Sequence, residues 1–197
     1  MRNIPFIFIF LLINFSCQKY NQEQQTIIYD DYYENQEAAD LNEQGILYSQ
    51  KGDVEKAKEY FLKSLELEPN NPTTMGNLGL NRYLAYDYEE AIEYLQKSYI
   101  LSDSTYHQAG VNLGIVYYYS QEFEKGVKIS DYVINNASDN TILSGARTHR
   151  ALNNIKLNEC KKALMDLDFI KNNYNKVENI DFHIKDLQEK LKDCPLK

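Results

Sequence analysis

The chain has no tryptophan, and cysteine, histidine and methionine occur three times each among its 197 residues. His107, His149 and His183 are far apart in sequence, so no pair has metal-ligand spacing, and Cys160 and Cys194 show no zinc arrangement. A glycine-rich phosphate loop and a nucleophile elbow are both missing, and paired acids such as Glu89 and Glu90 fall where a helix surface would solvate them. No metal, cofactor or catalytic residue is expected, and the chain reads as a non-enzyme. The lack of tryptophan also counts against a surface built to stack sugars. Basic residues are in deficit, 21 Lys and Arg against 29 Asp and Glu for a net charge of −8, so nothing attracts a phosphate backbone and nucleic acid is excluded as the expected partner.

A long hydrophobic run is missing too. The apolar stretch Ile4–Ile13 would make a helix of only ~15 Å, about half the hydrocarbon thickness of a bilayer, so it is too short for a permanent span. With Arg2 ahead of it, the stretch has the chemistry of an export signal. It ends in INFSCQK, where Ser16 directly before Cys17 resembles the lipobox of bacterial lipoproteins, in the relaxed form of the Bacteroidetes lineage. That resemblance implies a signal peptide over residues 1–16, a lipid such as palmitate on Cys17, and a place in the cell envelope. By the sorting rules of that family, Gln18 favours the outer membrane, with either face open. The alternative is an ordinary secretory signal in which Cys17 carries nothing. Residues 17–36 are polar and rich in Gln and Asn, as a tether is, apart from an apolar and aromatic patch of Ile27, Ile28, Tyr29, Tyr32 and Tyr33.

Beyond the tether a repeat organises the chain. Small residues pair twelve apart as Gly45 with Ala57, Gly79 with Ala91, Gly114 with Gly126 and Ala151 with Ala163, at periods of 34, 35 and 37, so the added residues fall in loops between repeats. Small residues on two successive helices let the helices approach closely. Large residues such as Leu41, Tyr48, Phe61, Leu78, Tyr88 and Leu95 then supply the core. Asn71 before Pro72 marks one helix start, Asp53 and Asp87 mark two others, and Asp87 with Glu90 forms a capping-box-like pair. Ile180, Ile184, Leu187 and Leu191 at helical spacing make residues 178–193 a cap helix for the end of the array.

Leu41, Gly45, Tyr48, Ala57, Phe61 and Pro69 resemble the signature of the tetratricopeptide repeat (TPR), as do Leu78, Gly79, Ala91 and Leu95 one period on. The third repeat agrees at Leu113, Gly114 and Tyr117, with Gly126 and Ser130 departing from the pattern; the fourth keeps Ala151, Ala163 and Leu167 but has Arg150 and Asn154 at positions usually apolar. The resemblance implies an all-α, right-handed superhelix over 37–193, with repeats at about 38–71, 72–105, 107–140 and 144–177. It also implies a concave groove lined by the first helix of each repeat, carried over to Asn42, Ile46, Leu80, Tyr83, Val111, Ile115, Tyr118, Tyr119 and Leu152. The Lys, Asn and Arg set with which some family members clamp a C-terminal carboxylate is not reproduced: Asn42, Gly76, Val111 and Thr148 hold the fifth position. Extended segments with apolar or aromatic side chains are the better match. In this register Cys160 opens one helix and Cys194 closes the antiparallel one beside it, so a disulfide is expected, and a loop of 34 residues would make it worth roughly 3 to 4 kcal/mol. The function implied is an envelope scaffold or adaptor that binds a protein or peptide partner in its groove. The alternatives are a lipoprotein that binds a glycan or other ligand through its tyrosines, and an accessory subunit of an enzyme.

Overall fold

A computed structural model describes residues 33–103 and 105–195. Residues 1–16, Cys17 and most of the 17–36 tether lie outside the described residues. Within them the chain is helical throughout and contains no strand: α1 (Gln36–Gln50), α2 (Val54–Leu67), α3 (Pro72–Leu84), α4 (Tyr88–Leu101), α5 (His107–Tyr119), α6 (Phe123–Asn136), α7 (Asn140–Lys156), α8 (Cys160–Asn173) and α9 (Ile180–Leu191). No helix among the described residues is long and apolar enough to cross a membrane.

Local chemistry sets the helix starts. Asp53 and Asp87 each accept the backbone N–H three residues on, at 3.2 Å, and Asn71 accepts that of Thr74 at 3.0 Å ahead of Pro72. The expected reciprocal bond from Glu90 is replaced: its carboxylate takes Lys58 Nζ of the previous repeat at 2.8 Å. Asp139 caps α7 by accepting from Thr141 and Ile142, which starts that helix at Asn140, ahead of the expected boundary at 144.

The turn between the two helices of every repeat contains a left-handed residue: Gly52, Tyr86, Gln121 and Asn158, with φ of 80°, 61°, 64° and 60°. These recur with the same 34, 35 and 37 periods as the small pairs. Each is followed by a backbone N–H that reaches back to close the turn, as Asp87 does to the Arg82 carbonyl at 3.0 Å.

Small residues act one step differently from the expected face-to-face pair. A methyl on Gly45 would sit 2.5 Å from the Phe61 ring, and one on Gly79 would sit 2.7 Å from Leu95 Cγ. The glycine of the first helix therefore admits the large residue one turn beyond the small residue of the second. The second-helix position serves the next repeat: a methyl on Gly126 would collide with the Asn153 side chain of α7. Two hairpins are also pinned by serine, Ser64 Oγ donating to the Ala38 carbonyl at 2.7 Å and Ser98 Oγ to that of Pro72 at 2.6 Å.

The core runs as successive clusters, around Phe61 and Leu78, then Leu95 and Val116, then Val133, then Leu167, Ile170 and Leu187. α9 packs on both α7 and α8, and a disulfide joins Cys160 to Cys194 with their Cα atoms 5.7 Å apart.

Candidate functional site

The inner surface is built from α1, α3, α5 and α7. Between α1 and α3 the seam is stitched by polar side chains: Asn77 Nδ2 donates to Asn42 Oδ1 at 3.0 Å, and Asn81 Nδ2 to Ser49 Oγ at 2.8 Å. Asn81 Oδ1 in turn accepts from buried Arg82, whose guanidinium also donates to Glu55 and to the Val54 carbonyl. Beside this seam Ile46, Leu80 and Leu84 form an apolar hollow, with Ser49, Asn77 and Asn81 around it. Asn42 Nδ2 is buried without a hydrogen-bond partner among the described residues.

At the C-terminal ends of α3 and α5 the hollow gives way to an aromatic cluster. Tyr83 lies 5.6 Å from Tyr119 and 6.2 Å from Tyr88 between ring centroids; Tyr88 stacks on Tyr119 at 6.0 Å, and Tyr118 meets Tyr119 edge-on at 5.2 Å. Such pairs fall within the favourable range for aromatic contacts. Lys156 Nζ lies 5.7 Å from the Tyr118 centroid, a cation–π arrangement. Burial holds the Tyr88 and Tyr118 phenols above their usual pKa, so both are neutral hydrogen-bonding groups. Tyr86, in the turn that joins α3 to α4, is 76% exposed.

The groove residues expected from sequence divide into two groups. Leu80 and Tyr83 are half-buried and Tyr119 is exposed, with Ile46 enclosed beneath them at the hollow and Asn42 enclosed in the seam. The others are taken up by packing. α5 and α7 contact each other far more extensively than α1 and α3 or α3 and α5 do. Val111 is buried with Val133 and Ala146, while Ile115 and Tyr118 lie against the cluster of Leu152, Ile180 and Leu187. The accessible groove therefore belongs to the first three repeats, and repeat four with α9 closes its far end. His149 contributes to that closure: it is buried, and its Nδ1–H donates to the Val111 carbonyl at 2.8 Å. Burial lowers its pKa to about 4 despite that bond. No group of His, Cys, Asp and Glu suited to a metal ion occurs among the described residues.

Sequence reasoning missed Tyr86 and gave Tyr88 only a core role. The signal for Tyr86 was present in the period: it stands one repeat after Gly52, where a glycine fits the left-handed turn.

Residues 38–71, the first repeat, match the family model described as Tetratricopeptide repeat. The chain folds as a TPR solenoid. A tetratricopeptide repeat protein from Parabacteroides merdae superposes with a TM-score of 0.62 at 20% identity, covering 80% of this chain and 60% of that one. The first TPR of Spaghetti, bound to the HSP90 peptide SRMEEVD, gives 0.56 at 20% identity and covers 65% of this chain and 98% of that one. A stretch of 52 residues is 40% identical to anaphase-promoting complex subunit 6 of Dictyostelium discoideum, which is 26% of this chain but only 6% of that protein's length. The likeness to these solenoids is one of fold.

Proposed function

We propose that the protein is a lipid-anchored interaction scaffold of the bacterial cell envelope, exported by residues 1–16, held to a membrane through Cys17, and binding an extended segment of a partner protein in the groove of its first three repeats. The observation that carries the binding role is the junction of the Ile46–Leu80–Leu84 hollow with the tyrosine cluster at Tyr83 and Tyr119. The hollow offers a seat for one apolar side chain, and the tyrosines offer large contact area with little side-chain entropy to lose. An extended peptide presents a carbonyl and an N–H at every residue, which suits a hollow bordered by the polar side chains of Ser49 and Asn77. That the Spaghetti TPR binds a peptide supports the same class of ligand. The Lys, Asn and Arg set that clamps an acidic tail is not reproduced at Asn42, Gly76, Val111 and Thr148, so an acidic C-terminus is not the segment proposed. Tyr88 and Tyr119 stack on one another and use a ring face of each, which favours a peptide over a sugar that would stack on those faces.

The export signal and the SC junction at Ser16 and Cys17 support the membrane anchor. A photoreactive amino acid at Tyr83 or Tyr119, irradiated in cells, tests the binding role: a discrete protein adduct from both positions, lost from an exposed control at Met165, is the expected result. Adducts no different from the control would overturn it. The anchor is tested by mass analysis of the N-terminal peptide, in which an acylated Cys17 is expected and a free thiol sinks the assignment.

A further inference from the structure

The patch Ile27, Ile28, Tyr29, Tyr32 and Tyr33 sits just where the described residues begin, and its last member is placed. Tyr33 is half-buried, and its hydroxyl shares a 2.7 Å hydrogen bond with Thr74 Oγ1, on the first turn of α3. The Asn35 N–H donates to Glu68 Oε1 at 2.5 Å, so the chain is held at a second point before α1 begins. Burial raises the Tyr33 phenol pKa, and the groups that act on it electrostatically are Tyr106, Glu68 and Glu43, drawn from the approach to α5, the end of α2 and the second turn of α1. Tyr33 thus stands at the N-terminal mouth of the groove, among three of the helices that line it or lead into it.

From that point α3 carries Asn77, Leu80 and Leu84 at intervals of three and four, half-buried on one face that leads to the hollow. The distance along the helix from Thr74 to Leu84 is ~15 Å at 1.5 Å per residue. Five extended residues reach about 17 Å, so Ile28 can span from the Tyr33 anchor to the hollow of Ile46, Leu80 and Leu84. The segment is also of the chemistry that the hollow takes, two isoleucines next to tyrosine in an otherwise polar tether.

We infer that residues 27–32 of the chain itself occupy the groove when no partner is bound, Tyr33 fixing the direction of entry and Ile28 filling the hollow, so that a partner binds by displacing them. The inference rests on the groove being the binding surface. The tether is then both the link to the membrane and the competitor for the site. Because the competitor is covalently attached, its effective concentration is of millimolar order, and a partner segment must exceed it.

A photoreactive amino acid in place of Ile28 in the full chain, irradiated at low protein concentration, is expected to give an internal adduct whose mapped peptides contain Ile46 or Leu80–Leu84. Adducts confined to a second copy, or to other parts of the chain, overturn the inference. Ile27→Asp together with Ile28→Asp should speed amide exchange at Leu80–Leu84 several-fold without changing helix content, and should raise partner capture from Tyr83 several-fold. Unchanged exchange with capture from Tyr83 intact discards self-occupancy and leaves the binding function standing. No capture from Tyr83 in either form would instead remove the binding function.

Discussion

Tyr86 is an aromatic side chain in a left-handed turn, at φ 61° and 76% exposed, in the position where the preceding repeat has Gly52. An L-residue there costs on the order of 1 kcal/mol relative to its preferred conformations, and little packing returns that cost. Tyr86→Gly is therefore expected to leave stability unchanged or raise it by up to about 1 kcal/mol in a denaturant titration. A clear loss of stability would mean that the ring packs more than its exposure indicates. The residue was legible only by laying one repeat on the next, since a tyrosine near Asp87 looks like any loop residue until the Gly52 turn is aligned with it. His149 was equally hidden. Its burial depends on α5 lying against α7, a contact between residues 38 apart that no helical period reveals. Neutral in the fold with a pKa of about 4, it titrates near 6.5 when unfolded, so the unfolded chain takes up the proton first as pH falls. Stability is expected to be unaffected by this group above pH ~6.5 and to decline by up to about 1.4 kcal/mol per unit between there and pH ~4. His183, lowered by burial, acts in the same direction. Comparing His149→Gln with the parent by thermal melts at pH 7 and pH 5 checks the sign: the pH-dependent loss should shrink in the variant.

At the scale of single helices, legibility followed chemistry that acts over a few residues. Asp53, Asn71 and Asp87 could be read as caps because a cap needs only its own side chain and a backbone N–H three residues on. Half of the Asp87–Glu90 box forms: Asp87 accepts the Glu90 N–H, while the Glu90 carboxylate accepts from Lys58, 32 residues earlier in the chain. Arg150 departs from the apolar pattern of the fourth repeat for a related reason. Its guanidinium donates to Asp166 Oδ2 from Nε at 2.8 Å and to Asp131 from Nη1 at 2.6 Å, while Arg147 adds a bond to Asp166 at 3.0 Å and lies over the Phe169 ring. The side chain of Asp166 is only 2% exposed, so α7, α8 and α6 are tied by an ion network at the position where the two preceding repeats bury Leu78 and Leu113. Removing the carboxylate leaves Arg147 without an acid and Arg150 with Asp131 alone, and Asp166→Ala should cost roughly 3 kcal/mol. Replacing Arg147, Arg150 and Asp166 together with apolar residues of similar volume should cost far less than that single change. A denaturant series on both variants decides; equal losses would show that the aspartate acts through packing and not through charge.

The whole molecule is a row of units in which each hairpin touches mainly its neighbours, and its two ends are finished differently. At the N-terminal end Tyr33 stands at the mouth of the groove; the C-terminal end is closed by α7 packing on α5 and by α9 lying across α7 and α8. The sequence register placed Cys160 and Cys194 at adjacent helix ends, and the disulfide there closes 34 residues around the repeat that departs furthest from the TPR signature. What the register did not convey was the closure itself, because Ile115, Tyr118 and Leu152 have the same sequence appearance whether a neighbouring helix or a partner covers them. A bridge of this span should contribute roughly 3 to 4 kcal/mol, felt locally in an array whose hairpins touch mainly their neighbours. Reduction, or Cys194→Ser, is therefore expected to speed amide exchange in α8 and α9 first and to leave α1 and α3 protected, so that the groove holds its form while the cap loosens. Exchange that rises evenly from α1 to α9 would instead make the chain a single cooperative unit, in which the clasp at one end supports the groove at the other.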